Sequence, residues 1–178
     1  MTDRDLTRTE GETLDMPEGM GAFSKGLVLG DRYQILEMLG RGGMGEVWHA
    51  LDLKLRVEVA LKALRPEFFK SDRRLELLRQ EVRAAREVVS PNVCRIFDLI
   101  EVEGRELVSM EYVDGATLLG VLQERGPLEL KEAQDIASQF LAGLEAIHKA
   151  GLIHRDIKPE NIMLTRAGRV VVMDFGLA

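Results

Sequence analysis

From residue 33 onward, apolar and polar positions alternate in short runs, a period-two texture that predicts strands at 33–39, 46–51, 57–64, 95–102 and 106–112. Gly104, between the last two, predicts a hairpin turn. One segment inside this series has a different period. After Ser71, a candidate N-cap, Leu75, Leu78, Val82, Ala85 and Val89 recur at helical spacing until Ser90-Pro91 stops them. Beyond Tyr112 the pattern turns helical. A short helix is expected at 117–124, ended by Gly126-Pro127. A longer one follows, whose stripe is Leu130, Ala133, Ile136, Ala137, Phe140, Leu141, Leu144 and Ile147, and Gly151 stops it. Two more short strands, 162–164 and 169–173, flank a turn at Ala167-Gly168. A strand-rich half followed by a helix-rich half predicts an α+β fold with two lobes.

Composition narrows the function classes. The 178 residues are 46% hydrophobic and 30% charged, which is ample for a packed core and excludes collagen-like and wholly disordered chains. A formal net charge of -6 argues against a broad nucleic-acid footprint, so any anion must be held locally. Residues 1 to about 30 are acidic and polar, and they read as a flexible leader rather than a secretory signal. No apolar run reaches the roughly 18 residues that a membrane span needs. Cys94 is the only cysteine, so no internal disulfide forms and a cytoplasmic home is expected.

Four stretches carry candidate chemistry. Gly40, Gly42 and Gly45 form a G-x-G-x-x-G run between two predicted strands, where backbone N–H groups can lie close over phosphates; alone, the signal equally suits a ligand-free hairpin. Lys62 ends the apolar run Val59-Ala60-Leu61, so its ammonium must reach solvent or meet an anion. Glu81, between the core positions Leu78 and Val82, offers an opposite charge, although as an isolated pair the two read first as solvated surface groups. His154-Arg155-Asp156-Ile157-Lys158-Pro159-Glu160-Asn161 crowds a loop past a helix end: a hydroxyl-orienting carboxylate, a cation and an amide oxygen suited to a hard metal. Asp174-Phe175-Gly176 follows the apolar run 170–173 and places a further carboxylate at a strand end.

Together these pieces resemble the eukaryotic-type protein kinase family, from about Arg32 to the last residue, with the motifs in family order and in the expected strand, helix and loop contexts. The resemblance implies a two-lobed fold, with an N-lobe at 31–113 and the start of a C-lobe at 114–178. It implies that Lys62 holds the α- and β-phosphates of ATP and pairs with Glu81, and that Asp156 is the catalytic base. Lys158 would contact the γ-phosphate, and Asn161 and Asp174 would bind Mg2+. A nucleotide pocket would be lined by Leu39, Gly40, Gly42, Gly43, Gly45, Val47, Ala60, Met110 as gatekeeper, Glu111, Val113 and Met163. The partner class implied is a protein with a Ser or Thr acceptor, because Lys158 stands two residues after Asp156; the loop sequences look most like bacterial members.

Two departures stand out: Ser90-Pro91-Asn92 replaces the usual His-Pro-Asn, and Ala85 is smaller than the residue expected one turn after Glu81. Ending at Ala178, the chain is expected to be part of a longer kinase, one that could carry a membrane anchor further on. Phe140, Leu144 and Ile147 are then expected to lose cover, and phosphoryl transfer by this stretch alone is expected to be slight. A catalytically inactive nucleotide-binding or interaction module is the alternative.

Overall fold

The computed structural model describes residues 22–68 and 71–175. The first half is a six-stranded antiparallel sheet made of β1 (Val28–Leu29), β2 (Tyr33–Gly42), β3 (Gly45–Asp52), β4 (Val57–Leu64), β5 (Ile96–Val102) and β6 (Arg105–Glu111). Its spatial order is β1-β2-β3-β4-β6-β5. Helix α1 (Asp72–Arg86) is inserted between β4 and β5 and packs on one face. The second half holds β7 (Gly115–Thr117), α2 (Leu118–Arg125), α3 (Leu130–Lys149), β8 (Ile162–Thr165) and β9 (Val170–Val172), with the three strands in the order β7-β8-β9.

The alternation along β4 explains how the first sheet divides its core. Val59, Leu61 and Ala63 join Phe23, Leu29, Tyr33, Ile35 and Trp48 on the outer face. Ala60 and Leu64 point the other way, into a cluster with Leu78, Val82 and Ala85 of α1. Lys62 shares their side of the strand and is only 4% exposed, so the pleat carries its ammonium inward.

Local signals account for the helix bounds. Ser71 Oγ accepts the Arg74 N–H at 3.4 Å and starts α1, while Thr117 Oγ1 accepts the Gly120 N–H at 3.0 Å and starts α2. Gly126 (φ 76°) ends α2, and α3 gives way to Gly151 (φ 77°). The expected extension of α1 to Val89 is not realised. The helix stops at Arg86, its last turn closes through Glu87 and Val88 N–H groups onto the Ala84 and Ala85 carbonyls, and Val89 is exposed. The polar leader is also shorter than expected at its C-terminal end: Phe23 and Leu29 are buried, and β1 pairs with β2. The remainder of that expectation, residues 1–21, lies outside the described residues. Strand β7 had no signal of its own, being three residues of Gly-Ala-Thr paired to β8.

The halves meet where the loop after α1 crosses β9. Cys94 N–H donates to Val172 O and Val172 N–H to Asn92 O, each at 2.9 Å. Asn92 Nδ2 also donates to Gln139 Oε1 on α3 at 3.1 Å. The expected loss of cover on α3 is wrong for Ile147, which is completely buried against Val171 and Val172; Phe140 and Leu144 are half-buried, and Leu130, Ala137 and Leu141 are the stripe residues left exposed.

Candidate active site

The strands β2 and β3 run further toward each other than the apolar pattern suggests, to Gly42 and from Gly45, so Gly43 and Met44 form the tip of a hairpin. At Gly45, φ is 151° and a Cβ would lie 1.9 Å from the Ala63 carbonyl oxygen, so β4 passes too close for any side chain there. This hairpin roofs a cleft of about 520 Å³. Leu39, Gly40, Gly42, Gly43, Gly45 and Val47 line it from above; Lys62 lines its rear; Asp156, Lys158, Asn161 and Asp174 line it from the second half. Thr117, Glu160 and Met44 also face the cleft and were not foreseen.

Of the apolar residues expected in the pocket, Leu39 and Val47 line this cleft, while Ala60, Met110, Val113 and Met163 do not. Ala60, Met110 and Val113 are buried in one cluster, and Val47 and Met163 pack against it. Glu111 ends β6 beside them.

The loop of residues 154–161 is built around His154, which is 1% exposed. Asp156 N–H donates to its Nδ1 at 3.3 Å, so Nε2 carries the proton and donates to the Met173 carbonyl at 2.8 Å. One neutral imidazole therefore sets the spacing between Asp156 and the residue before Asp174. Met173 N–H in turn donates to the Asn161 carbonyl at 2.8 Å. Arg155 (φ 68°) and Asp174 (φ 55°) both hold left-handed backbone without being glycine, a strain that the surrounding bonds maintain. Sequence inspection had no signal for the His154 strut beyond its position in the motif.

Charges converge on the cleft. Lys158 Nζ lies 2.7 Å from Asp156 Oδ2 and holds that carboxyl below the ordinary aspartate range, while Asp156 raises the lysine. Asn161 Nδ2 donates to Asp156 Oδ2 at 3.0 Å and to its carbonyl at 2.8 Å. Its amide oxygen is thus the end turned away from Asp156. Lys62 Nζ sits 3.0 Å from Asp174 Oδ1.

The expected Lys62–Glu81 pair is not formed. Arg155 Nη1 instead lies 3.1 Å from Glu81 Oε1, so the helix carboxylate is satisfied by the 154–161 loop and Lys62 by Asp174. Both exchanges follow from distance: each ion has taken an opposite charge that the folded loop brings within contact. The small Ala85, one turn further along, is nevertheless fully enclosed in the cluster that holds Phe175.

Two other features are chemically quiet. Burial pushes the Cys94 thiol far above its ordinary range, so it is no nucleophile at neutral pH. A wider groove of about 1060 Å³, between α2, α3 and the β7–β8 pair, is lined by none of the motif residues. No helix among the described residues is long and apolar enough to cross a membrane.

Comparison with known proteins agrees with this geometry. The family profile described as "Protein kinase domain" matches residues 33–178. The serine/threonine-protein kinase PrkC of Bacillus subtilis is 40% identical over 147 residues, covering 83% of this chain and 23% of the relative. The probable serine/threonine-protein kinase PknB of Lactococcus lactis is 38% identical over 154 residues, covering 86% of this chain and 25% of the relative. Among solved structures, the PknI kinase domain of Mycobacterium tuberculosis superposes with a TM-score of 0.77 at 30% identity, covering 88% of this chain and 62% of that one. The chain spans about a quarter of the length of these curated relatives. With a profile matched over most of its length and a two-lobed fold to go with it, the chain belongs to the protein kinase domain family.

Proposed function

We propose that this chain carries the ATP site and catalytic loop of a serine/threonine protein kinase, and that the whole protein transfers the γ-phosphoryl group of ATP to Ser or Thr hydroxyls of proteins. One observation carries the proposal: Lys62, Asp156, Lys158, Asn161 and Asp174, distant in sequence, line a single cleft under a glycine hairpin. Phosphoryl transfer asks for positioning and charge neutralisation more than for covalent help, and these are the residue types that supply them. On this reading Lys62 holds the α- and β-phosphates, Asp156 accepts the hydroxyl proton, and Lys158 balances charge at the transferring group. Val47, Ala60 and Met163 enclose the adenine, Met110 closes the rear, and the backbone of Glu111 and Val113 meets the base edge.

The donor set suits Mg2+. Asn161 and Asp174 offer two hard oxygens in a cleft open to phosphates, and no cluster of three or more acidic, histidine or cysteine side chains capable of caging a metal occurs among the described residues. Magnesium characteristically takes one or two protein oxygens and completes its octahedron with phosphates and water. When bound, the ion neutralises phosphate charge. A cytoplasmic location belongs to the same reading, supported by the need for ATP and by a single cysteine that has no partner for a disulfide within the chain.

The paired state of Lys62 and Glu81 with other partners favours one rival, a nucleotide-binding module without transferase activity. The purified whole protein incubated with γ-labelled ATP, Mg2+ and a generic protein acceptor separates the two. The kinase reading expects label on Ser or Thr and a loss on the order of a hundredfold or more in Asp156→Asn. Equal labelling by both proteins, or label on Tyr alone, overturns it.

A further inference from the structure

Among the described residues, three ion pairs join the half of the fold before the β6 end to the half after it: Lys62–Asp174, Glu81–Arg155 and Glu111–Arg169. The first two occupy side chains that the proposed reaction needs elsewhere. The third does not. Arg169 Nη2 donates to Glu111 Oε1 at 2.5 Å. Glu111 Oε2 accepts the Arg95 N–H at 3.3 Å, and Glu111 N–H donates to the Arg95 carbonyl at 2.8 Å.

Both ends of this contact are anchored before the ions meet. Arg169 N–H donates to Thr165 Oγ1 at 3.1 Å and its carbonyl accepts the Thr165 N–H at 2.9 Å, which closes the turn between β8 and β9. Glu111 is the last residue of β6, paired with Val59 across the sheet. An exposed ion pair usually contributes little because two free side chains must be ordered to make it. Here the backbone at each end is already fixed, and the Glu111 carboxylate is bound from two sides.

We propose that Arg169 is a positioning residue for base recognition: by holding the Glu111 side chain against the residues that lead into β5 and β9, it fixes the peptide that faces the amino group of adenine. The proposal deepens the nucleotide-site reading and rests on it. Past Glu111 the chain leaves the sheet ladder; the Glu111 carbonyl accepts a thiol contact from Cys94 Sγ at 3.6 Å, a weak donor, so the peptide plane there is set chiefly by what the Glu111 N–H and carboxylate are tied to. A carbonyl held in one orientation accepts from the 6-amino group of ATP and repels the 6-oxo group of inosine triphosphate. Once it is released, it tilts to suit either.

The test compares the full chain with Arg169→Ala, Arg169→Lys and Glu111→Gln, reading Kd for ATP and for inosine triphosphate, and hydrogen exchange over 110–114 without nucleotide. Expected are a fall of about fivefold in the preference for ATP in Arg169→Ala, the worth of one net hydrogen bond, little change for inosine triphosphate, faster exchange over 110–114, and recovery of most of the preference in Arg169→Lys. General destabilisation would weaken both nucleotides alike and overturn the proposal. An undiminished preference with unchanged exchange in both Arg169→Ala and Glu111→Gln also overturns it. A wild-type chain with no preference for ATP defeats the nucleotide-site reading instead, and the exchange rates then still decide whether Arg169 holds Glu111.

Discussion

Arg155 Nη1 is 3.1 Å from Glu81 Oε1, and this contact stands in place of the Lys62–Glu81 pair. Lys62, 4% exposed on an apolar strand, has to have an anion and takes Asp174 at 3.0 Å. The two pairs are linked, because Asp174 is also the proposed metal ligand. A cation that claims Asp174 leaves Lys62 in want of a partner, and Glu81 is the carboxylate that the family resemblance assigns to it.

A magnesium-nucleotide complex should therefore show Lys62 Nζ within about 4 Å of a Glu81 oxygen. Arg155→Ala removes the competitor, and apparent nucleotide affinity should rise about two- to fivefold as the competent pairing gains population. Crystallography of the complex checks the first and titration calorimetry the second. Lys62 still on Asp174 with metal bound would contradict the exchange.

Gly143 lies inside α3, where alanine ordinarily adds about 1 kcal/mol. Its ideal Cβ, however, falls 2.6 Å from the Asn92 carbonyl oxygen and 2.9 Å from Val172 Cγ2. Both neighbours belong to the crossing that joins the halves, so the clash outweighs propensity. Gly143→Ala should cost about 1–3 kcal/mol in urea unfolding. An unchanged or higher midpoint would show that the crossing yields.

Asp52 is 1% exposed and receives four hydrogen bonds: Arg32 Nε and Nη2 on Oδ2, and the Lys54 and Leu55 N–H groups on Oδ1. The Arg32 bond first, and the two N–H groups after it, hold its carboxyl below the ordinary range. With the folded value below the unfolded one of about 3.9, the contribution is complete above that pH and drains away as pH falls through the folded value. Asp52→Asn should lose about 1–3 kcal/mol at pH 7, a gap that narrows toward pH 3. A gap constant with pH would contradict the role of the charge.

Asp156 and Asp174 should separate cleanly by function. Asp156→Asn should leave nucleotide affinity nearly unchanged, since on the proposed reading its carboxylate serves the acceptor hydroxyl rather than the nucleotide. Asp174→Asn weakens magnesium-dependent binding about tenfold or more, because charge leaves the metal shell. In Lys158→Ala the Asp156 carboxyl loses the ammonium that holds it down, so its midpoint in a carbon NMR titration should rise. Equal affinity losses in the two aspartate variants would contradict the division.

The periods of the longer strands, the Ser71 cap, and the glycine and proline stops are legible because they are local: each rests on neighbours within a turn or a pleat. The bounds of Val57–Leu64 agree to the residue, helped by an apolar run that only Glu58 and Lys62 interrupt. The end of α1 did not, since Val89 continues the helical spacing yet the chain must turn there for residues 92–94 to reach β9. The motif residues named the cleft, but not which ions would touch. The resemblance implies Glu81 as the partner of Lys62, and only the path of the 154–161 loop decides that Arg155 takes Glu81 and that Lys62 meets Asp174. The His154 strut and the Glu111–Arg169 contact span 19 and 58 residues of sequence, and no periodicity reaches so far.

The central claim is that the motif residues form one magnesium-nucleotide site, and amide NMR of the chain titrated with Mg-ATP tests it most directly. The account predicts shifts over 40–47, at Lys62, Val113 and Asp174, with the α2–α3 groove silent, and their loss in Lys62→Ala. Shifts confined to residues 125–139, or none at millimolar nucleotide, would contradict it.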